Sequence, residues 1–382
     1  MRLILAGAVA GLLLAGPLMA QEPWRASYYP YPLKGPNDAT SLVLHYQIGQ
    51  AADYEERFPF TRSFSVEGGI NASGSRFLVG RFKAPALAPG WRLYGEMGAT
   101  RENRFGYFGL GNDTEPTDDP ANEWYDRMRR SRIYGRVDLT RRIAGNFHVA
   151  GGVSLTHSSF GSLPGESQFL NDYFLVPPCI PEAECPRTGE DPGDDDFAGR
   201  VALVFDSRDN ETVPARGVLA EVGAEYGSGG SGYSGLYGLF SGFVSPYEGA
   251  VIGARFLARS IQAGAPLDAR YTLYAWERSV PLLGGPESHR SFVYGRYTGR
   301  QALVTNLEYR QDILNFGDFG AISALGFFDA GLVQENTEES NQLHLGGGGG
   351  LALRILRSTV LQLNFAGGPD GFQFSMGTGW AF

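Results

Sequence analysis

The residues best suited to specific chemistry are one arginine and two carboxylates. Arg290 lies in LLGGPESHRSFVYGR, which begins at Leu282 and is rich in glycine and polar residues, so a loop is expected there. Glu308 and Asp329 follow it in the chain. A guanidinium and a carboxylate can share two parallel hydrogen bonds, which makes a stronger contact than two point charges. These side chains could fasten the loop to two strands; the alternative is an ordinary exposed loop arginine.

Both carboxylates lie where apolar and polar residues alternate, and successive side chains of a strand face opposite sides. In ALVTNLEYRQDI (302–313), Glu308 shares a face with the polar residues at even positions, whereas the odd positions are mainly apolar. Asp329 alternates with Phe328 and Ala330. Both carboxylates are therefore expected to point away from the apolar face.

The same period of two recurs from about residue 40 to the C-terminus, in segments separated by turn signals. Such a pattern predicts strands rather than helices. The predicted strands are 40–50, 62–72, 75–83, 91–101, 104–112, 126–142, 147–158, 196–207, 218–227, 235–246, 249–262, 302–312, 319–331, 343–355, 358–367 and 372–382.

Composition and connection lengths indicate what kind of β protein this is. The chain has 54 Gly, 19 Tyr and 25 Phe, which favours strands and turns. Alternation also fits a soluble sandwich, but sandwich strands average about five or six residues. Here the segments are longer, and short connections (141–146, 245–249, 314–318) alternate with long ones (159–195, 263–301). We therefore predict an all-β fold, a transmembrane antiparallel β-barrel of about 16 strands.

The N-terminus predicts export. One positive charge precedes the apolar run 3–18, and a small-residue cleavage position follows at Ala20. The alternative, a membrane anchor helix, is disfavoured because the run is short. An exported barrel is expected in the outer membrane of a Gram-negative bacterium. The predicted division is a signal peptide (1–20), a short periplasmic segment (21–39) and the β-barrel (40–382).

The two cysteines, Cys179 and Cys185, are six residues apart in a proline-rich acidic stretch. An oxidising compartment favours a local disulfide between them, and two free thiols are the alternative. The nearby run EDPGDDDF (190–197) predicts a solvated surface. A divalent-cation site is the less favoured alternative for this run.

Other chemistries are disfavoured. The net charge is −9 and the basic residues form no stripe, so nucleic-acid binding is not expected. GGGGG (346–350) lacks the Lys-Ser/Thr of a phosphate loop and instead suggests a bend or a close approach of another element. No G-x-S-x-G elbow occurs, and His157 beside Ser158 is weak support for a lipase. The histidines have no ligand spacing. They are His45, His148, His157, His289 and His344. We expect no enzyme activity, metal or cofactor.

Several motifs, in order, resemble the bacterial surface antigen family, the BamA- and TamA-like outer-membrane barrels that insert or secrete proteins. FDSRDNETVPARG (205–217) resembles a turn between two strands of that family, and RFGYFGLGNDT (104–114) its aromatic segment. LGGPESHRSFVYGR resembles its loop motif, and FFDAG (327–331) also matches. The matching turn positions are Asp206, Arg208, Asp209, Pro214 and Gly217, and the C-terminal assembly signal falls on Trp380 and Phe382.

The resemblance implies a loop, 263–301, that folds into the lumen and is held there by its arginine. Arg290 corresponds to that arginine and Phe292 to the aromatic residue after it, with Glu308 and Asp329 as the carboxylate partners. The family has glycine between the two loop residues, whereas this chain has Ser291.

The resemblance also implies that the barrel assists insertion or translocation of proteins, through a weakly paired seam between the strands at 40–50 and 372–382. Family members carry periplasmic POTRA domains that receive clients, and we expect none before this barrel. The expected partners are outer-membrane lipids including lipopolysaccharide, and periplasmic or outer-membrane client proteins. The alternative function is a passive pore for small solutes, in which lumen carboxylates such as Glu221, Glu225 and Glu308 favour cations.

Overall fold

The computed structural model describes residues 23–117, 123–164, 166–169, 172, 193–356 and 359–382. Sixteen strands form one antiparallel sheet, in the order in which they follow one another along the chain, and the sheet curls into a nearly closed barrel. This confirms the predicted fold class. Among the described residues, no helix has the length and apolarity needed to cross a membrane. The predicted signal peptide, Cys179 and Cys185 lie outside the described residues.

The strands of the barrel are long, from 8 residues in the last to 18 in the sixth. They are β1 (Trp24–Leu33), β2 (Ser41–Ala51), β3 (Phe60–Asn71), β4 (Arg76–Ala88), β5 (Trp91–Gly106), β6 (Arg127–Ala144), β7 (Phe147–Ser162), β8 (Asp194–Asp206), β9 (Gly217–Gly227), β10 (Tyr233–Val244), β11 (Ala250–Ile261), β14 (Gln301–Asn315), β15 (Gly320–Gln334), β16 (His344–Ile355), β17 (Thr359–Gly368) and β18 (Gly371–Thr378). Between β11 and β14 the chain forms a separate hairpin, β12 (Thr272–Ala275) and β13 (Arg278–Pro281).

Alternation places apolar side chains outside and polar ones inside. On β9, Val222 and Tyr226 are exposed on the outer face, while Glu221 is buried towards the lumen. The interior therefore contains both polar and apolar groups. Buried arginines and carboxylates lie beside apolar clusters formed by the wall and the loop after β11.

Two predictions about the strands are wrong. The sequence missed one strand of the barrel and predicted one that does not exist, so the total is still sixteen. The barrel begins at β1, within the segment 21–39 that the sequence placed before it. Pro30 and Pro32 weaken the strand signal of β1, but an edge strand tolerates proline. The predicted strand 104–112 does not exist, because β5 continues to Gly106 and the chain then leaves the wall through Gly109 and Gly111, both with positive φ.

The acidic run is also placed differently from the prediction. Asp194, Asp195 and Asp196 form the beginning of β8 and pair with β7 rather than lying in the preceding loop. Asp196 accepts hydrogen bonds from the Tyr233 hydroxyl (2.8 Å) and the Gly229 N–H (2.9 Å). The aspartates thus extend the wall at the end that carries the long connections.

Candidate functional site: the lumen loop and its contacts

The chain between β11 and β14, residues 262–300, folds back into the barrel instead of extending from it. Its turn Gly285–Phe292 is closed by a backbone hydrogen bond of 2.9 Å, and Gly284 and Gly285 have positive φ. A Cβ at Gly284 would lie 2.1 Å from the Val293 carbonyl oxygen, so a side chain there would collide with backbone. Paired glycines therefore bring Arg290 to the wall on a compact turn.

Arg290 meets both predicted carboxylates. Its Nε and Nη2 donate to the two oxygens of Asp329 at 2.9 and 2.8 Å, its backbone N–H donates to the same carboxylate at 2.9 Å, and its Nη1 donates to Glu308. The guanidinium carbon also lies 3.6 Å from the centre of the Phe327 ring. We call Arg290, Glu308 and Asp329 the loop latch.

The charged groups of the loop latch are buried, so leaving any of them unpaired would be costly. Arg290 is 2% exposed, and neither carboxylate side chain has accessible surface. Burial alone would lower the pKa of the Arg290 guanidinium, but the attraction of Asp329 and Glu308 outweighs it and raises that pKa. The arginine therefore keeps its positive charge although it is buried.

Neighbouring side chains fix the two carboxylates. Asn306 donates to Asp329 at 2.7 Å and to the Ser288 carbonyl at 2.7 Å, so it links the wall to the loop a second time. Arg310 donates to the other oxygen of Glu308 at 2.6 Å. Glu308 therefore bridges two arginines, one from the loop and one from its own strand.

Ser291 and Phe292 complete the turn. Phe292 is fully buried and packs edge-on against Tyr297, with ring centroids 5.3 Å apart. Ser291 donates its hydroxyl to the Gly367 carbonyl on β17 at 2.9 Å. A Cβ at Gly346 would lie 2.1 Å from that hydroxyl, so the first residue of GGGGG lets the loop approach β16. The serine in the usual glycine position thus makes an additional contact with the wall.

The sequence did not reveal a second anchor, at the tip of the β12–β13 hairpin. Arg92 on β5 donates to both oxygens of Glu211 (2.7 and 2.8 Å) and to Glu277 (3.0 and 2.9 Å). Its guanidinium lies 4.9 Å from the Trp276 ring, and the backbone N–H of Trp276 donates to the Glu221 carboxylate at 2.7 Å. Glu277 has φ 48°, an uncommon value for a side-chain-bearing residue.

The turn motif at 205–217 organises the connection between β8 and β9. Arg208 pairs with Asp206 through two hydrogen bonds of 2.9 and 3.0 Å, and Asp209 accepts from the N–H groups of residues 215 and 216. Gly217 has φ 101°, and a Cβ there would lie 2.3 Å from the Ser207 carbonyl. Pro214 is buried at the end of this connection.

This connection also reaches across the barrel opening. Glu211 meets Arg92 on β5, and its N–H donates at 2.8 Å to the carbonyl of Arg57, between β2 and β3. Val213 packs against an apolar cluster that includes Phe327 of β15 and Trp380 of the C-terminal segment. The family turn therefore covers part of the lumen entrance at the end with the short connections.

The aromatic segment YFGLGN crosses the other opening. Asn112 is 1% exposed and donates to the carbonyls of Ser340 (3.2 Å) and Gln342 (2.9 Å), while its oxygen accepts from the Val333 N–H at 3.2 Å. The Gly111 N–H donates to Thr298 of the lumen loop at 2.7 Å. Asn112 is thus a positioning residue that the sequence did not single out, although the motif containing it was recognised.

The C-terminal residues Trp380 and Phe382 lie inside the lumen, beyond the end of the last strand, and not in a strand that continues to residue 382 as predicted. β18 ends at Thr378, and Gly379 (φ 84°) turns the chain inwards. Phe382 stacks on Phe243 at 6.0 Å, and Arg310 lies 3.9 Å from the Trp380 ring. Their proposed part in assembly remains a prediction. Within the described ranges, no cluster of three His, Cys, Asp or Glu residues could hold a metal ion.

Comparison with solved structures shows what this barrel is similar to. BamA from Haemophilus ducreyi lacking POTRA domains 1-3 has a TM-score of 0.55 at 14% identity, over 94% of this chain and 70% of that one. CdiB from Escherichia coli has a TM-score of 0.59 at 11% identity, over 96% and 63%. CdiB from Acinetobacter baumannii has 0.52 at 12%, over 93% and 59%. The chain thus spans less than two thirds of either CdiB chain.

At these identities the structural likeness establishes the fold alone. A comparison with curated proteins gives no match. The family model described as the Omp85 superfamily domain, in contrast, matches residues 61–380, which is most of the chain and covers the barrel from β3 onwards. The chain therefore belongs to the Omp85 superfamily, and it is an outer-membrane β-barrel protein of that group.

Proposed function

We propose that this barrel assists the insertion of proteins into the outer membrane or their translocation across it, and that client chains engage it at the seam between β1 and β18. The observation that carries the proposal is the pairing at this seam. Every other neighbouring pair of barrel strands is held by an extended ladder, in places with a register shift, whereas β1 and β18 share one isolated bridge, Lys34 with Met376. Its two hydrogen bonds measure 2.7 and 2.9 Å.

The sequence of β1 explains why the ladder does not continue. Lys34 directs its N–H and C=O to the seam, and alternate residues of a strand direct these groups to the same side, so the even positions of β1 face the seam. Pro32 and Pro30 are the next two even positions, and neither has an N–H to donate. Beyond Thr378, Gly379 takes the opposing chain into the lumen.

The free edge of β1 can accept another strand. Its seam-facing positions Trp24, Ala26 and Tyr28 have no partner strand among the described residues, because β18 ends before it reaches them. An extended polypeptide can pair with such an edge through main-chain hydrogen bonds, which are independent of its sequence. This mode of binding suits a protein that handles many different clients.

The interior favours this function over a passive pore. The lumen loop crosses the barrel and is anchored at the loop latch and at Arg92. The carboxylates expected to attract cations are already neutralised by arginine: Glu221 by Arg200 (2.7 Å), Glu225 by Arg259 (2.7 Å) and Glu308 by Arg290 and Arg310. A solute would meet paired charges and packed loop residues instead of a free acidic channel.

Locking the seam tests the proposal. Cysteines at Lys34 and Met376 should form a disulfide across the single bridge, in a background with Cys179 and Cys185 replaced by serine. In proteoliposomes, the oxidised protein is expected to lose its acceleration of the folding of an added unfolded outer-membrane protein, and a reductant should restore it. The rate of appearance of the folded client is the measurement.

A matched disulfide separates locking from simple cross-linking. Asn364 and Ser375 face each other across the fully paired β17–β18 ladder, so cysteines there connect strands that have no need to part. This control is expected to keep its full rate when oxidised. Equal rates for both oxidised proteins, at the level of the reduced ones, would show that clients do not use the seam.

A further inference from the structure

One cross-strand row on the outer face consists of hydrogen-bond donors. Arg76 on β4 is directly opposite Arg101 on β5, Arg101 is opposite Ser131 on β6, and Ser131 is opposite Ser159 on β7. In the described strands, no other cross-strand pair joins two Arg or Lys residues.

The outward direction of this row follows from its neighbours. The alternate residues of the same strands point into the lumen, as shown by Arg81 with Glu96 (2.8 Å) and by Arg130 with Glu102 (2.7 Å). The next row on the outer face contains Leu78 and Ile133, both more than half exposed. These exposed apolar residues face the hydrocarbon of the membrane.

Two like charges directly opposite each other destabilise a sheet unless something compensates them. No described carboxylate forms an ion pair with Arg76 or Arg101, and the Arg101 guanidinium donates to the Asn103 side-chain oxygen at 3.1 Å. The counter-charge is therefore expected to come from outside the chain. The row lies only two residues, about 7 Å, beyond Leu78 and Ile133, at the end of the strands that carries the long connections.

We infer that Arg76 and Arg101 bind the phosphate groups of a lipid headgroup in the outer leaflet. A guanidinium matches phosphate through paired hydrogen bonds, and the Ser131 and Ser159 hydroxyls add donors along the same row. A lipid would contact both the arginines and the apolar residues of this face. Its phosphate would bind the arginines, and its acyl chains would cover the apolar rows nearer the middle of the membrane. A free phosphate ion would satisfy the arginines alone.

Native mass spectrometry of the full chain, released from phosphatidylcholine nanodiscs, provides the test. The probes are a bisphosphorylated lipid A and the same glycolipid without its phosphates. The wild type is expected to retain the phosphorylated probe preferentially. R76Q/R101Q should weaken that retention at least about 10-fold, because each basic side chain at an anionic membrane surface contributes separately.

Two other arginines provide a matched control. Arg62 lies near the start of β3 and Arg141 near the end of β6, so R62Q/R141Q removes the same charge from the other membrane surface. This control should retain the probe as the wild type does, and R76K/R101K should give intermediate retention. Equal retention of both probes by the wild type, unchanged retention by R76Q/R101Q, or complete competition by inorganic phosphate would overturn the inference. Unheated gel mobility checks that each variant is folded.

Discussion

Replacing Arg290 with alanine is expected to destabilise the barrel by roughly 3–5 kcal/mol, because Glu308 and Asp329 would remain buried with too little compensating charge. Arg310 and Asn306 would still contact these carboxylates, but the bidentate contact to Asp329 would be lost. The measurement is the denaturant midpoint of the purified protein in detergent, together with protease cleavage between residues 262 and 300. Cleavage should rise sharply as the turn leaves the wall.

Two further variants show whether the geometry of Arg290 matters or only its charge. Arg290→Lys keeps the charge but loses the fork, so an intermediate loss of stability is expected. Arg300→Ala removes another arginine of the same loop region. The Arg300 side chain is 30% exposed and lies 3.3 Å from the Glu335 carboxylate, so its removal should change the free energy of unfolding by less than about 1 kcal/mol. An Arg290→Ala protein as stable and as protease-resistant as the Arg300→Ala protein would contradict the account of the loop latch.

Replacing Arg92 with alanine is expected to release two segments at once. Its guanidinium holds Glu277 at the hairpin tip and Glu211 in the β8–β9 connection, and both carboxylates would lose their arginine. We expect a stability loss of roughly 3 kcal/mol or more. In planar bilayers, openings should become larger and longer than those of the wild type, since the hairpin and the turn obstruct the same entrance.

Arg141→Ala is the control for Arg92. Arg141 is also at an end of a barrel strand, but it is exposed and donates one hydrogen bond, to the Pro89 carbonyl at 2.8 Å. Its removal should leave the conductance unchanged. If Arg92→Ala conducts as the wild type does, the hairpin does not obstruct the lumen, and the argument against a passive pore loses its main support.

The loop latch also has a structural link to the seam. Glu308 bridges Arg290 and Arg310, and Arg310 lies over Trp380, in the segment that Gly379 diverts from β18. The position of the loop and the position of the C-terminal segment therefore depend on shared contacts. This link connects two features that the sequence motifs presented separately.

The sequence predicted what local periodicity determines. Alternation placed Glu308 and Asp329 on the lumen face, because a strand in a barrel has two faces and only one meets lipid. It also gave the strand class and most strand positions. It extended the last strand to residue 382, which is wrong, because the period of two continues through Gly379 in the sequence while the strand ends at Thr378 and the positive φ of Gly379 turns the chain inwards.

Contacts between distant segments lay beyond prediction from the sequence. Arg92 and Glu277 are 185 residues apart, and Asn112 and Ser340 are 228 apart. No local pattern identifies such pairs, because the sequence around an arginine at a strand end is the same whether its side chain contacts water or the tip of a loop. The motif YFGLGN identified the family, but its glycines were interpreted as part of a strand instead of a crossing segment.

Site-specific photo-crosslinking tests the role of the seam most directly. A photoreactive amino acid would replace Tyr28, which is exposed beside the open edge of β1, or Tyr226, which is equally outward-facing on the fully paired β9. Proteoliposomes would then receive a labelled, unfolded outer-membrane protein and be irradiated during its insertion. The account predicts a transient adduct at position 28 and none above background at position 226. Equal labelling at both positions, or none at position 28 while insertion proceeds, would contradict it.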